Sequence, residues 1–453
     1  MKSSRRDFLK ATVAGVGALT ALGAAAREAT PESAQRRVVG LACPPLPLIR
    51  WGFIGIGARG LFHLKETLLM EGCEVGALCD IDGAALQRGL RAVAASGRPA
   101  PATYSDGEEA YRKLLERSDL DAVLIATPWR WHVPMATAAL GSGKHAFVEV
   151  PAAITLDGCW ELVETAEKHR LHCMMLENCC YGRDELMVLN LCRQGQFGEL
   201  LHGEGGYLHD LREQLRDYDQ SEGRWRPHEH TLRNGNLYPT HGLGPIAQAM
   251  GINRGDRFEV LTSFSSAARG LADYASQLPE NNPNRREKFI CGDMNVSLVR
   301  TARGRTIVVK HDTSNCQAYS RIQVIQGTRG GFAGYPSRIS LQGHGNTHEW
   351  DLNLAPWYDK FDHPWWTQGQ AARARLAPHA IAGHGGMDFV MRWRLVDCLH
   401  QGQPLDQDVY DAAAWSAIGP LSEASVARGG APQEVPDFTR GSWTSTPALG
   451  QVS

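Results

Sequence analysis

Beyond its first 26 residues this chain of 453 has no stretch approaching the roughly 20 consecutive apolar residues that a membrane span needs. It also lacks a dominant charge. Its 47 Lys and Arg stand against 49 Asp and Glu, a formal net charge of −2. With no basic field to hold a phosphate backbone, nucleic-acid binding drops out as a main function. The 11 cysteines form no C-x-x-C pair, and no His/Cys cluster has metal-ligand spacing, so no metal site is expected. Their odd number and scatter, with the adjacent pair Cys179-Cys180, read as buried free thiols rather than a disulfide framework. Nothing repeats at a fixed period, which excludes solenoids and propellers. What is present is a globular, enzyme-sized composition of 43% hydrophobic residues with 48 Gly and 23 Pro, enough for two or three domains.

The N-terminus reads as an address. Ser4-Arg5-Arg6-Asp7-Phe8-Leu9-Lys10 precedes a Gly/Ala-rich run from Ala11 to Ala26 that ends in small residues. The segment resembles a twin-arginine export signal, and at about 16 residues the run falls short of a span. Residues 1–26 are therefore expected to be a leader and 27–48 a linker. The export machinery is an expected partner and the periplasm or exterior the expected destination. Because that route carries folded proteins, a cofactor would be loaded before export.

Ile49-Arg50-Trp51-Gly52-Phe53-Ile54 reads as a buried strand that runs into Gly55-Ile56-Gly57-Ala58-Arg59-Gly60, after which a helical pattern begins. G-x-G-x-x-G between strand and helix is the dinucleotide fingerprint. Gly55 makes the tight turn, Gly57 admits a pyrophosphate, and Gly60 lets helix pack on strand. A second strand ends at Asp80, 20 residues beyond Gly60. A carboxylate there accepts from ribose hydroxyls and repels a 2′-phosphate, which favours NAD. Apolar strands at 121–126, 145–148 and 172–176 alternate with helical stretches at 135–141 and 155–169, the pattern of a parallel sheet covered on both faces. Ligands of such sheets gather beyond the strands' carboxyl ends, which nominates Trp129, Arg130, Trp131, His132, Glu149 and Asn178.

From about residue 182 strands dominate, at 200–207, 258–264, 295–300, 306–311 and 321–326, with helices at 242–250 and 386–400. The expected fold class is α/β. A Rossmann dinucleotide-binding domain over 49–180 is followed by an α+β domain over 181–438 with a large open, mixed or antiparallel sheet, then a tail over 439–453. Cofactor and substrate would share the cleft between them. An exposed sheet face makes a homo-oligomer a further expectation.

A dinucleotide fold followed by such a domain resembles the Gfo/Idh/MocA oxidoreductases. The segments Glu177-Asn178-Cys179-Cys180-Tyr181-Gly182-Arg183, Gly203 to Asp210, Arg233 to Pro245 and Asn253 to Phe258 are similar to those of glycoside hydrolase family 109, the NAD-dependent α-N-acetylgalactosaminidases. The resemblance spans about Arg50 to Phe438, and Tyr238-Pro239-Thr240-His241 with its flanks is its most specific part. One departure from the wider superfamily bears on mechanism. Its sugar dehydrogenases usually carry Glu-Lys-Pro where this chain has Glu149-Val150-Pro151, and Val150 has no proton to give.

The resemblance implies hydrolysis by oxidation at C3 of the sugar, elimination of the aglycone from C1, addition of water and re-reduction, with NAD as bound cofactor and no net redox. It implies His241 and Tyr238 as catalytic residues. Tyr207, Arg226, Tyr238, Pro239, Thr240, His241 and Tyr319 are implied sugar contacts. Gly55, Gly57, Ala58, Arg59, Gly60, Asp80, Trp129, Arg130, Trp131, His132, Glu149, Val150, Asn178 and Tyr238 are implied around the cofactor. Imidazole suits the proton transfers because its ordinary pKa of about 6.5 lies near neutrality. The expected substrate is a small glycoside or glycan terminus. Trp350, Trp357, Trp365 and Trp366 read as hydrophobic packing, with an aromatic wall for carbohydrate as the alternative. An exported NAD(P)-dependent sugar oxidoreductase and a non-catalytic sugar-binding protein stand as the competing readings.

Overall fold

The computed structural model describes residues 37–215, 225–346, 348–377 and 383–449. The expected leader, the first ten residues of the linker and the last four of the tail lie outside them.

Six strands build the first sheet: β1 (Ile49–Ile54), β2 (Cys73–Cys79), β3 (Ala102–Tyr104), β4 (Ala122–Ile125), β5 (His145–Val148) and β6 (Cys173–Met175). Their order is β3-β2-β1-β4-β5-β6, and every pairing is parallel. Every residue of β4 and β5 is buried, which is why both read as unbroken apolar runs rather than alternating ones. The helices that cover this sheet start where local chemistry allows. Thr155 caps Leu156–His169 by accepting from the Gly158 N–H, and Asp82 caps Gly83–Ala95 by accepting from Ala84. The order reverses between β1 and β4, so the crevice that receives a dinucleotide opens at their carboxyl ends.

The second sheet has eight strands. They are β7 (Leu200–Leu208), β8 (Phe258–Ser265), β9 (Asn295–Thr301), β10 (Thr306–Asp312), β11 (Val324–Gly327), β12 (Gly330–Ala333), β13 (Arg338–Leu341) and β14 (Gln433–Glu434), ordered β13-β12-β11-β7-β10-β9-β8-β14. Only β7 and β10 run parallel; the other pairs are antiparallel. Along β9, buried and exposed residues alternate strictly, as expected for a sheet with one covered face. The open face, on which the expectation of self-association rests, carries exposed Phe264, Val296 and Leu298.

On the covered face lies the helix Thr240–Met250, with only His241 not buried. It sits closer to β7 than any side chain would permit. A Cβ built on Gly205 would lie 2.2 Å from the Gly242 carbonyl oxygen, and one on Gly242 would lie 2.1 Å from the Gly206 nitrogen. On the helix's other side Gly244 packs against Cys180, Glu177 and Trp415. The helix is thus clamped between the second sheet and the end of β6, and His241 at its first turn is carried to the join between the two sheets.

The expected strand at 321–326 begins only at Val324, because Ile322 and Gln323 hold φ of +66° and +52°, which no strand accommodates. The Trp-rich region is helical, over Ala355–Phe361 and Pro364–Leu376. Trp357 is buried there, stacked on Phe361 and donating to Asp351 at 2.8 Å. All eleven cysteines are free, and eight are buried.

Replacing Gly242 with Ala should destabilise the protein by about 1–3 kcal/mol, the usual penalty of overpacking. It should also lower turnover more than a stability loss of that size explains, because Tyr207 and His241 separate. Calorimetry combined with steady-state rates checks both; unchanged melting would mean that the clamp is loose.

Candidate active site

A cavity of about 640 Å³ runs along the carboxyl ends of the first sheet and turns under the second. At one end lies the glycine turn. Gly55 has φ +86°, and a Cβ on Gly60 would fall 1.8 Å from the Gly55 carbonyl oxygen, so neither position admits a side chain. The helix Ala58–Leu69 begins behind Gly57 with no side-chain cap and no acidic residue in its first turn. Its positive dipole end, with no acidic side chain to offset it, favours an anion such as a pyrophosphate there. Asp80 accepts from the Ile56 N–H at 2.6 Å and the Asp82 N–H at 2.8 Å, which fixes its carboxylate at the cavity edge. Beside it Ile81, 65% exposed, offers an apolar surface to an adenine.

Past β4 the wall is Trp129 to His132. Trp129 is buried, donates from Nε1 to the Val150 carbonyl at 3.2 Å and packs edge-on against Trp225, so it serves both as core and as wall. His132 braces the wall: its ring nitrogens lie 2.7 Å from the Pro151 and 2.8 Å from the Thr127 carbonyl oxygens. Arg130 points to solvent and pairs with Glu108, and Trp131 lies beneath the Arg130 guanidinium.

Beneath the next part of the cavity the charges are already paired. Glu149 receives Arg59 at 2.9 Å and His63 at 2.6 Å on one oxygen, and the Val150 N–H at 3.1 Å on the other. Burial alone would raise its carboxyl, but Arg59 and His63 hold it well below the usual range. Burial and the neighbouring Arg59 push His63 down to about 4. Its Nδ1 accepts from Arg392 at 2.8 Å, so the neutral ring carries its proton on Nε2, facing Glu149. Asn178 donates to Asp388 at 2.8 Å, and Asp388 also meets Arg59 and His384.

The far end is aromatic. Tyr238 packs 4.6 Å from Tyr207 and 4.8 Å from His241, ring centroid to centroid, and the Arg226 guanidinium stands 5.2 Å over its ring. His241 Nδ1 lies 2.7 Å from Oε1 of Glu177, a fully buried carboxylate that also accepts the Cys179 N–H. Burial pushes the Glu177 carboxyl up, yet His241 outweighs it and the group stays below its ordinary value. Glu177, Cys179 and His241 present donor atoms within 4.8 Å of one another. Tyr207 meets His209 at 2.9 Å, and Tyr319 packs edge-on against His209 just outside the cavity lining.

The structure thus gathers Gly55, Gly57, Ala58, Arg59, Asp80, Trp129, Arg130, Trp131, His132, Glu149, Val150, Asn178, Tyr207, Arg226, Tyr238 and His241 around one cavity. Gly60 shapes the turn from behind. Pro239 and Thr240 do not face the cavity; they are buried at the start of the helix that presents His241. The four indoles 350, 357, 365 and 366 lie away from it. Sequence reasoning missed Glu177, His63, His209, Trp225, His384 and Asp388. The place of Glu177 after a strand and the i, i+2 spacing of Tyr207 and His209 were available signals. No local signal ties residue 384 or 388 to residue 59.

These features define a dinucleotide-binding protein whose groove along the first sheet continues into an aromatic pocket under the second. Residues 49–177 match the family model described as an oxidoreductase family with an NAD-binding Rossmann fold, and 181–445 match the C-terminal domain of glycosyl hydrolase 109. A glycosyl hydrolase family 109 protein of Shewanella amazonensis is 52% identical over 455 residues, 99% of each chain. One from Shewanella pealeana is 50% identical over 460 residues, all of both chains. Among solved structures, an oxidoreductase domain protein from Kribbella flavida (TM-score 0.64, 19% identity) and levoglucosan dehydrogenase with NADH and levoglucosan (TM-score 0.62, 17% identity) share the fold. Each covers 86% of this chain, which in turn covers 99% of theirs. The chain belongs to glycosyl hydrolase family 109; it is a glycoside hydrolase on an NAD-binding fold, and its cofactor is NAD.

The Arg59–Glu149–His63 cluster sets a pH dependence. Neutral His63 contributes stability that is full above its unfolded pKa of about 6.5 and lost as pH falls through about 4. The share from Glu149 is full above about 4.3 and lost at lower pH. Glu149→Gln should lower stability at neutral pH by on the order of 3 kcal/mol. It should also flatten the melting temperature against pH below about 4.3, where the wild type falls steeply. Parallel acid-limb curves for the two proteins would refute the assignment.

Proposed function

We propose that this enzyme releases terminal α-linked N-acetylgalactosamine by an oxidation–elimination–addition–reduction cycle with no net redox. One observation supports this over ordinary glycoside hydrolysis. That chemistry needs one carboxyl held protonated as an acid beside a second carboxylate. Here Glu149 and Asp388 under the middle of the cavity and Glu177 at its His241 end are all held below their ordinary values by cationic or imidazole partners. A proton-abstraction route needs no such acid pair. Val150, buried where related dehydrogenases carry Lys, weighs against a simple dehydrogenase.

Held at the Gly55–Gly60 turn and Asp80, NAD would supply reversible hydride transfer at C3 of the sugar, and a ketone at C3 acidifies C2. The remaining work falls to this chain. Glu177 engages Nδ1 of His241, which leaves Nε2 as the base for the C2 proton, and Glu177 balances the imidazolium that forms. Arg226, standing over Tyr238, supplies positive charge to the enolate. Trp129, Trp225 and Tyr238 exclude water, which strengthens each of these interactions. Export of the NAD-loaded protein to the periplasm through the Arg5-Arg6 leader completes the reading. Among the described residues no helix is long and apolar enough to cross a membrane.

In heavy water, nitrophenyl α-N-acetylgalactosaminide should release nitrophenol, the freed sugar should carry deuterium at C2, and no NADH should accumulate. Hydrolysis without exchange at C2 would sink the cycle. His241→Ala should lower turnover by about 100-fold or more while NAD stays bound. Replacing Arg5 and Arg6 with Lys should leave the protein in the cytoplasm on cell fractionation; unchanged export would remove the twin-arginine route.

A further inference from the structure

An enzyme that removes a terminal sugar encloses that ring and leaves the rest of the glycan outside. At the His209 edge of the cavity the aromatic wall does not stop. Tyr319 packs 5.0 Å from the His209 ring and 6.3 Å from the Tyr207 ring, both of which line the cavity. Tyr335 stands 6.1 Å beyond Tyr319, its ring turned by 71°. These two outer tyrosines are 38% and 39% exposed, large rings left to solvent side by side. Together they form an open corner that carries the wall outward.

The backbone is bent to make that corner. Tyr319 precedes Ser320, which exchanges backbone hydrogen bonds with Leu208 at the end of β7 at 2.9 and 3.0 Å. Ile322 and Gln323 then turn left-handed, and the Gly334 N–H meets both of their carbonyl oxygens, at 3.2 and 2.9 Å. This ties the turn between β12 and β13 to the bend, with Tyr335 itself at φ +57°. Three of the seven non-glycine residues with left-handed φ among the described residues thus fall in one corner. For a β-branched or aromatic residue that conformation is rare, and it clusters where ligands are clamped. Buried Arg321 fills the angle between the rings. Its guanidinium stands 5.9 Å from the Tyr319 centroid and 5.5 Å from that of Tyr335, donates to Tyr319 Oη at 3.3 Å and pairs with Glu185. Because Glu185 balances that cation, the corner presents phenol rings and hydroxyls with no net charge of its own.

Such a surface suits a neutral sugar. A pyranose offers an apolar face of C–H groups to an aromatic ring and a rim of hydroxyls to phenols, which both donate and accept. We infer that Tyr319 and Tyr335, braced by Arg321, hold the neutral sugar ring to which the terminal residue is linked. The inference rests on the glycosidase reading above and adds that the enzyme favours saccharide over simple alkyl aglycones. Contacts this far from the reacting bonds bind ground state and transition state alike, so the corner governs KM rather than kcat.

The test compares methyl α-N-acetylgalactosaminide with a disaccharide in which the same sugar is α-linked to a neutral hexose. Both leaving oxygens are alkyl, and only the disaccharide carries a ring for the corner to hold. Tyr335→Asn, whose side chain tolerates a left-handed backbone, should raise KM on the disaccharide by about 10-fold with kcat held within about twofold. On the methyl glycoside both constants should stay at their wild-type values. Tyr335→Gly should show the same split, and it carries the test if the Asn variant does not fold. Tyr335→Trp, which keeps a ring, should stay within about threefold of the wild type on both. Equal changes on the two glycosides, or none on either, overturn the subsite and leave the hydrolase standing. A changed sedimentation coefficient without the KM split assigns the corner to a second copy of the chain and overturns it equally. A wild-type enzyme that cleaves neither glycoside overturns the substrate reading, and this inference with it.

Discussion

Two glycines set the geometry of this protein. Gly205 on the central strand β7 and Gly242 in the first turn of the helix Thr240–Met250 leave no room for a Cβ between them. Strand and helix therefore meet backbone to backbone. Tyr207 rides on one and His241 on the other, and their rings pack at 5.2 Å because the glycines touch. Gly244, two residues further along and on the opposite side, lets the same helix press on Glu177 and Cys180 at the end of the first sheet. An imidazole from one sheet's helix and its carboxylate partner from the other sheet's edge thus form a single pair. Close packing passes position from one layer to the next, and small residues decide how near the layers come.

The second organising feature is that most charge around the cavity is neutralised before any ligand arrives. Arg59, which lies within the Gly55–Gly60 turn and faces Glu149 and Asp388, is held inward by both. His63 and Arg392 close the network from below. Fixed, desolvated partners of this kind reorganise little during a reaction, which is where an enzyme gains from electrostatics. The arrangement also separates tasks along the cavity. Asp80 and Ile81 stand at one end, the Glu149 network underlies the middle, and the pairs His241–Glu177 and Tyr207–His209 stand at the other end.

Much of this was legible in order of sequence. Gly55 to Gly60 followed by Asp80 declares a dinucleotide site because the turn, the dipole and the ribose contact all lie within one β-α-β unit. The apolar runs at 121–126 and 145–148 declare buried parallel strands. Tyr238 to His241 was recognisable as a segment, but its members divide in a way no spacing could foretell: Tyr238 and His241 face the cavity, while Pro239 and Thr240 turn under the helix. The strand expected at 321–326 starts only at Val324 for a local reason, the two left-handed residues Ile322 and Gln323 ahead of it. The short strands at 330–333, 338–341 and 433–434 carried too few residues for any period to register.

The amino-acid order determined by itself what depends on neighbours in the chain: the nucleotide turn, the place of Asp80 at the end of the second strand, the alternation along β9 and the capped starts of the covering helices. The tertiary structure alone decided what depends on residues far apart in sequence. It joined Glu177 to His241, His63 to Arg392 and Arg59 to Asp388, and it chose which face of each segment meets the cavity. The physical reason is range. Backbone preference and hydrophobic period act over a few residues, whereas an acid finds its base only after two sheets have packed and the space left between their layers is fixed.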